Sequence, residues 1–286
     1  MMSLFGKFSR ASQPNPIEPE YDFVDENPEI IDEFEQNGWV SPSYTVSRPV
    51  KLDPNVTRKN RCVACHDESP YMEQYRVLRT RILHRAGNSS GKTVMITSAA
   101  PGEGKSLTAI NLAFTFAREY NHTTLLADCD LRRQSIHKIL GYAGDRGLAD
   151  CLKGRCGLSD IIVWPDVEKL TIISGGKTVG DSSELLGSSR MRQLVTEMRE
   201  RYDDRYIFLD APPVLNGADA MTLAPLVDHI LFVVQAGRTQ LSEIQRALQL
   251  LPKEKIIGLV FNRQPAGQIL PYYSGYFGGP EKSFKT

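Results

Sequence analysis

Short apolar runs recur through the middle of this chain and alternate with longer amphipathic stretches. The runs are Val94–Thr97, Thr124–Ala127, Leu170–Ile173, Tyr206–Leu209, His229–Val234 and Ile256–Phe261. They are apolar at nearly every position rather than at every second one, which is the pattern of strands covered on both faces. Lys105–Tyr120 places Leu107, Ile110, Phe114 and Ala117 on one helical stripe. Tyr71–His84 is arginine-rich with apolar residues near helical spacing, and Arg190–Arg201 and Leu241–Leu251 also read as helices. Strands separated by helices predict an α/β fold with a doubly wound, mainly parallel sheet flanked by helices. No internal repeat interrupts this order.

The first 60 residues break the pattern. They hold 7 of the 17 prolines, and from Ala11 to Ser47 there are nine acids and no Lys or Arg. Such a segment cannot bury enough apolar surface to offset its chain entropy, so disorder is expected, with a short helix near Pro28–Gln36 as its one regular feature. The reading divides the chain into an acidic, proline-rich segment at 1–70, an α/β domain at 71–264 and a flexible, tyrosine-containing tail at 265–286. The whole chain has 34 basic and 34 acidic residues, and its neutrality gives no electrostatic case for a nucleic-acid partner. No run of apolar residues is long enough to span a bilayer, and the opening MMSLFGKFSRASQPN lacks a continuous apolar core. The expectation is a cytoplasmic protein without direct membrane insertion. Five cysteines do not make a disulfide framework.

The chemistry is concentrated at the ends of three strands. Ala100-Pro101-Gly102-Glu103-Gly104-Lys105-Ser106 lies between a predicted strand and a predicted helix. That context is what a phosphate-cradling loop requires, with backbone N–H groups and a helix N-terminus facing the anion. Lys105 would reach the β- and γ-phosphates of ATP, and the Ser106 hydroxyl would sit on Mg²⁺. Asp128 and Asp130 follow the run at Thr124–Ala127, and Asp210 follows the run at Tyr206–Leu209. In a parallel sheet the carboxyl ends of strands line the ligand crevice. Asp128 and Asp210 are therefore the candidate carboxylates for Mg²⁺.

These elements together resemble the bacterial tyrosine kinases of the polysaccharide-biosynthesis autokinase family, whose P-loop fold is unrelated to that of eukaryotic-type kinases. The likeness runs from about Met72 to Asn262. Ala100–Ser106 resembles the family's Walker A, Asp128-Cys129-Asp130-Leu131-Arg132 its Walker A′, and Leu209-Asp210-Ala211-Pro212-Pro213 its Walker B. Gly147–Asp150, Ser183–Leu186 and Gly258–Asn262 also read like family segments. The resemblance implies ATP and Mg²⁺ as cofactors, with Pro101, Gly102, Glu103, Gly104, Lys105 and Ser106 around the phosphates and Asn262 near the adenine. It implies that Asp128 assists the metal and helps deprotonate a tyrosine hydroxyl, that Asp130 and Arg132 support the site, and that Asp210 is the Walker B metal residue.

Three further implications concern regulation. Glu73, Arg76 and Arg79 match the family's ExxRxxR element, which mediates a homo-oligomeric ring. Tyr272, Tyr273 and Tyr276 match its C-terminal tyrosine cluster, phosphorylated in trans; this cluster is shorter than many. The family pairs soluble kinases with a separate membrane activator of the chain-length-regulator type, which would bring the chain to the inner face of the membrane.

Two other function classes use the same loop. A ParA/MinD-like ATPase switch carries a second lysine early in its P-loop, where this chain has Ala100. An ATP-binding regulatory subunit would lack phosphorylation of its tail. Cys62-Val63-Ala64-Cys65-His66 fits a haem-attachment pattern but has no export signal beside it and no second ligand pair at zinc-finger spacing. Cys129 lies inside the nucleotide motif, where oxidation would affect activity. His122 and His137 read as ordinary surface or loop histidines.

Overall fold

The computed structural model describes residues 47–66, 69, 71–87, 91–120, 122–202 and 204–264. The acidic stretch before Ser47, with its expected helix at Pro28–Gln36, and the tail from residue 265 lie outside the described residues.

Eight strands form one sheet: β1 (Arg48–Pro49), β2 (Thr93–Ser98), β3 (Thr124–Asp128), β4 (Ile162–Trp164), β5 (Leu170–Ile173), β6 (Tyr206–Asp210), β7 (His229–Gln235) and β8 (Ile256–Asn262). Their spatial order is β1-β4-β5-β3-β6-β2-β7-β8. Every neighbouring pair is parallel except β4 and β5, which run antiparallel. The central strands β2, β3, β5 and β6 are buried at every position. That is why their sequences carry no polar alternation.

Helices cover both faces. The helices are α1 (Pro54–Lys59), α2 (Met72–Ala86), α3 (Lys105–Ala117), α4 (Ile136–Leu140), α5 (Leu148–Leu152), α6 (Ser182–Leu186), α7 (Ser189–Glu200), α8 (Asp219–Leu223) and α9 (Leu241–Gln249). One apolar layer packs α3, with Ile110, Leu112, Phe114 and Phe116, against Ile96, Leu126, Phe208 and Val233 of the sheet. The opposite layer packs Met191, Leu194 and Met198 of α7 against Met95, Leu125, Ile207 and Phe232. Phe116 meets Phe208 edge-on with ring centres 4.9 Å apart, so the central helix is keyed to the sheet by shape as well as by burial.

Residues 47–66 pack onto the sheet edge and α3. Val50 N–H donates to Trp164 carbonyl at 2.8 Å, extending the β1–β4 pairing. Asp53 caps α1 by accepting from Asn55 and Val56 N–H groups, and Pro54 sits in its first turn. The following 3₁₀ turn buries Cys62 and Ala64 against α3, where the Ala64 N–H donates to Asn111 Oδ1 at 3.0 Å. The composition of the first 60 residues masked these local signals, because acids and prolines farther upstream dominate the average.

Candidate active site

Strands β3, β6 and β2 are adjacent, and their carboxyl ends bring the three sequence motifs together. Asp128 and Asp210 occupy paired positions in the parallel register of β3 and β6. Ile96 of β2 pairs with Asp210 from the other side. The Thr97 hydroxyl donates to the Pro212 carbonyl at 2.7 Å, which ties the start of the P-loop to the loop after Asp210.

The loop from Ala99 to Gly104 turns on left-handed glycines, Gly102 at φ +84° and Gly104 at φ +95°. At Gly104 there is no room for any side chain, because an added Cβ would lie 1.9 Å from Asn262 Nδ2. That amide donates to the Glu103 carbonyl at 2.8 Å, while Asn262 Oδ1 accepts from the Arg263 N–H. Asn262 therefore braces the P-loop, and both ends of its amide are occupied there. The next residue, Arg263, lines the cleft. Glu103 is likewise turned inward. Its carboxylate accepts from Ala100 N–H at 2.9 Å and from the Thr239 hydroxyl. Of Glu103, only the backbone can meet a phosphate.

Lys105 opens α3 and is only 8 % exposed. Its ammonium lies 3.0 Å from Asp130 Oδ2, 3.4 Å from Asp210 Oδ1 and 3.3 Å from Ser106 Oγ. Burial pulls its pKa down, but Asp210 and Asp130 outweigh that and raise it overall. Asp210 is fully buried, and burial pushes its carboxyl up against the opposing pull of Lys105 and a Ser106 hydrogen bond. Its Oδ2 has no hydrogen-bond partner among the described residues. A buried, unpaired carboxylate oxygen next to a serine hydroxyl is costly as it stands and fits a hydrated Mg²⁺.

The Asp128 carboxylate is held by three backbone N–H groups. Its Oδ1 accepts from Asp130 N–H at 3.2 Å, and its Oδ2 accepts from Ser135 and Ile136 N–H groups at 2.9 and 3.1 Å. The carboxyl sits behind the cleft, ordering the turn into α4. Burial and the neighbouring Asp210 push its pKa up to about 7. Asp130, by contrast, lines the cleft beside Lys105.

Arg132 also lines the cleft. Its Nε donates to Ser182 Oγ at 2.6 Å and to Asp219 Oδ2 at 3.1 Å, and Ser182 Oγ donates to the same Asp219 oxygen at 2.6 Å. Three elements thus fix one guanidinium: the turn after β3, α6 and α8. Asp219 and Ser182 escaped the sequence reading, since nothing local marks residues separated by 37 and 87 positions as partners. The cleft, of about 590 Å³, is bounded by Gly102, Gly104, Lys105 and Ser106 on one side. Asn60, Arg133, Ser135 and Ile139 bound it on another, and Pro212, Pro213, Asn216 and Asp219 on a third.

Other expected residues lie elsewhere. Glu73 and Arg76 pair at 3.0 Å on the exposed side of α2. Arg79 is turned into its own chain, 2.9 Å from Glu119 and donating to the Thr115 carbonyl at 2.9 Å. The helical advance from Glu73 to Arg79 carries the last residue off the shared face. Cys62 and Cys65 are free thiols, and His66 Nε2 meets Thr57 Oγ1 at 3.2 Å. Burial, with Asp128 and Asp210 close by, raises the Cys129 thiol well above its ordinary value. Tyr272, Tyr273 and Tyr276 lie outside the described residues. Among the described residues no helix is long and apolar enough to cross a membrane.

This arrangement has counterparts. The AAA domain family matches residues 91–256. Tyrosine-protein kinase YwqD of Bacillus subtilis (strain 168) is 34 % identical over 208 residues, which cover 72 % of this chain and 86 % of that protein. A putative tyrosine-protein kinase, CapB of Staphylococcus aureus, is 31 % identical over 215 residues, 74 % of this chain and 93 % of it. The crystal structure of the chimerical protein CapA2B2 superposes with a TM-score of 0.67 at 27 % identity, covering 82 % of this chain and 99 % of the chimera. The loop, the paired strand-end carboxylates and these relatives agree, and the chain belongs to the bacterial tyrosine-protein kinase family built on the P-loop fold.

Proposed function

We propose that this chain is an ATP:protein-tyrosine phosphotransferase that phosphorylates tyrosines of its own tail in trans. The observation that carries this reading is that Lys105 and Asp130 line a cleft whose wall is the P-loop, with the buried Asp210 against the same ammonium. Backbone N–H groups of Gly102–Ser106 would hold the phosphates of ATP. Lys105 would exchange its carboxylate partners for the β- and γ-phosphate oxygens. Ser106 and Asp210 would hold Mg²⁺, which when bound supplies neutralisation of phosphate charge.

Asp130 faces the cleft and is the carboxylate placed to accept the proton of an incoming tyrosine hydroxyl, an otherwise poor nucleophile with a pKa near 10. Asp128 acts one step removed, by fixing the backbone that carries Asp130. Arg132, locked by Asp219 and Ser182, presents its terminal N–H groups to the transferred group or the acceptor chain. Phosphoryl transfer needs such positioning more than covalent chemistry.

Tyr272, Tyr273 and Tyr276 are the proposed acceptors. A ring of copies through the α2 face of Glu73 and Arg76, a separate membrane activator and a role in polysaccharide assembly at the inner membrane face complete the reading. That relatives are named tyrosine-protein kinases supports the kinase activity. The test is phosphotyrosine mapping by mass spectrometry after incubation with Mg²⁺ and ATP. Phosphate on the tail, absent in Lys105→Met and in the Tyr272, Tyr273, Tyr276→Phe triple variant, is expected. ATP turnover without phosphotyrosine would place the protein among ATPase switches instead.

A further inference from the structure

The acceptor side of the cleft carries a charge pattern that the ATP site does not use. Asn60, at the end of α1, and Ile139, in α4, meet there, with Asn60 Nδ2 donating to the Ile139 carbonyl at 3.0 Å. Arg133 lines the cleft beside them, Arg58, Lys59 and Arg61 flank Asn60 along the chain, and Lys138 precedes Ile139 in α4; all five are exposed. Among the described residues none of the five lies within 4.0 Å of a carboxylate. Asp53, the acid at the start of α1, is spent capping the far end of that helix. ATP phosphates are served from the opposite wall by the P-loop and Lys105. The collar is therefore left for something else that is negatively charged and enters beside the catalytic carboxylate.

We propose that this collar selects tyrosines flanked by carboxylates, and that Tyr21 of a second copy, supplied in trans, is such a substrate. The inference rests on the kinase reading above and names a substrate class for the same site. Residues 16–28 read Pro-Ile-Glu-Pro-Glu-Tyr-Asp-Phe-Val-Asp-Glu-Asn-Pro, with five acids and no base around one tyrosine. Residues 266–280, which contain Tyr272, Tyr273 and Tyr276, have no charged residue at all. The two acceptor types therefore differ in the one property the collar reads. Without positive charge at the entrance, an acidic acceptor would be repelled by the triphosphate it must approach, so the collar converts that repulsion into steering.

In the step itself, the Tyr21 phenolic oxygen forms a bond to the γ-phosphorus as the bond from that phosphorus to the β,γ-bridging oxygen breaks. ADP departs with the bond's electron pair, and the phenolic proton passes to Asp130 and then to solvent.

The experiment uses the full chain with Mg²⁺ and ATP and three synthetic peptides: residues 16–28, the same peptide with Glu→Gln and Asp→Asn throughout, and residues 266–280. Binding of fluorescein-labelled peptides is measured in parallel by anisotropy without nucleotide. The acidic peptide is expected to show kcat/KM at least about tenfold above its neutral version, with tighter binding. The advantage should shrink as salt rises from about 0.05 to 0.5 M. Lys59→Gln combined with Lys138→Gln, both at exposed positions, should lower the acidic peptide toward the neutral one. Equal kcat/KM for the two peptides, or a preference indifferent to salt and to the double variant, overturns the inference. Phosphorylation of the 266–280 peptide without any on residues 16–28 overturns it and leaves the kinase reading standing. Transfer to no peptide and no chain tyrosine, with ATP still bound, overturns both.

Discussion

Lys105 Nζ lies 3.0 Å from Asp130 Oδ2, so the residue that would grip phosphate is held by the carboxylate that would receive the tyrosine proton. Asp210 and Asp130 raise the pKa of the lysine, and both Lys105 and Asp130 are nearly buried. When phosphate draws the lysine away, the Asp130 carboxylate is released toward the acceptor. Substrate binding and activation of the base are thus two sides of one exchange.

Removing the lysine should reveal both roles. Lys105→Met is expected to cut phosphotransfer by on the order of 10²–10³-fold, the loss typical of one preorganised donor. It should also destabilise the nucleotide-free protein by roughly 3 kcal/mol, because buried carboxylates are left without their cation. The destabilisation should be larger at pH 8 than at pH 5.5, because burial raises the pKa of Asp210 and its carboxyl takes up a proton as pH falls. Urea unfolding at both pH values is the check, and an equal loss at the two would rule out this account.

Asp128 gives a pH signature of its own. Its carboxyl is pushed up to about 7 in the fold. Between about pH 4 and 7 the folded chain holds a proton that the unfolded chain has released, so stability is highest at the acid end and declines as pH rises through 7. Asp128→Asn stays uncharged at every pH and should flatten that decline, with Asp210 supplying the remainder. Thermal midpoints of both proteins between pH 5 and 8, without nucleotide, decide it; parallel curves would contradict the assignment.

Gly104→Ala should abolish nucleotide binding while leaving the fold intact. The added methyl meets Asn262 and the φ of +95° disfavours any L side chain. Asn262→Ala should weaken ATP binding less, by several-fold, because it removes a brace rather than filling the loop. Isothermal titration with ATP and Mg²⁺ separates the two. An Asn262→Ala protein with unaltered affinity would mean that the brace is idle.

Asp219→Asn should lower kcat by on the order of tenfold to a hundredfold with little change in KM for ATP. The reason is that, among the described residues, the side-chain hydrogen bonds of Asp219 go to Arg132 and Ser182, so it acts by aiming the guanidinium. Ser182→Ala should do the same more mildly. A rise in KM for ATP alone would show that the network serves nucleotide binding instead.

Much of this was legible in the chain itself. Six strands announced themselves as apolar runs; five are buried, which leaves no room for polar residues, while the edge strand β8 is apolar with Leu259 and Phe261 exposed. Strand β4 has three residues and β1 two, one of them proline, and neither is long enough to carry a pattern. Lys105, Ser106, Asp130 and Asp210 were legible because a phosphate loop and strand-end carboxylates have fixed local contexts. The partners of Arg132 were not, since their proximity is a product of tertiary packing. Asn262 was located correctly at the end of β8, but its contact with the P-loop depends on how closely two backbones approach. No sequence pattern encodes that distance. Arg79 shows the converse: a motif position known from spacing, whose side chain is claimed by a neighbour on α3 and the turn beyond it.

The turn that buries Cys62 and Ala64 beneath α3 has a practical consequence for anyone preparing shorter forms of this protein. A fragment beginning at Ser47 keeps every described contact of the sheet edge and of the P-loop helix. One beginning at Tyr71 removes the stopper from the apolar layer, leaving the Asn111 amide without its backbone partner and α4 without α1. Such a fragment should be prone to aggregation, and poor yield from it would reflect a cut made inside the fold rather than any weakness of the catalytic site.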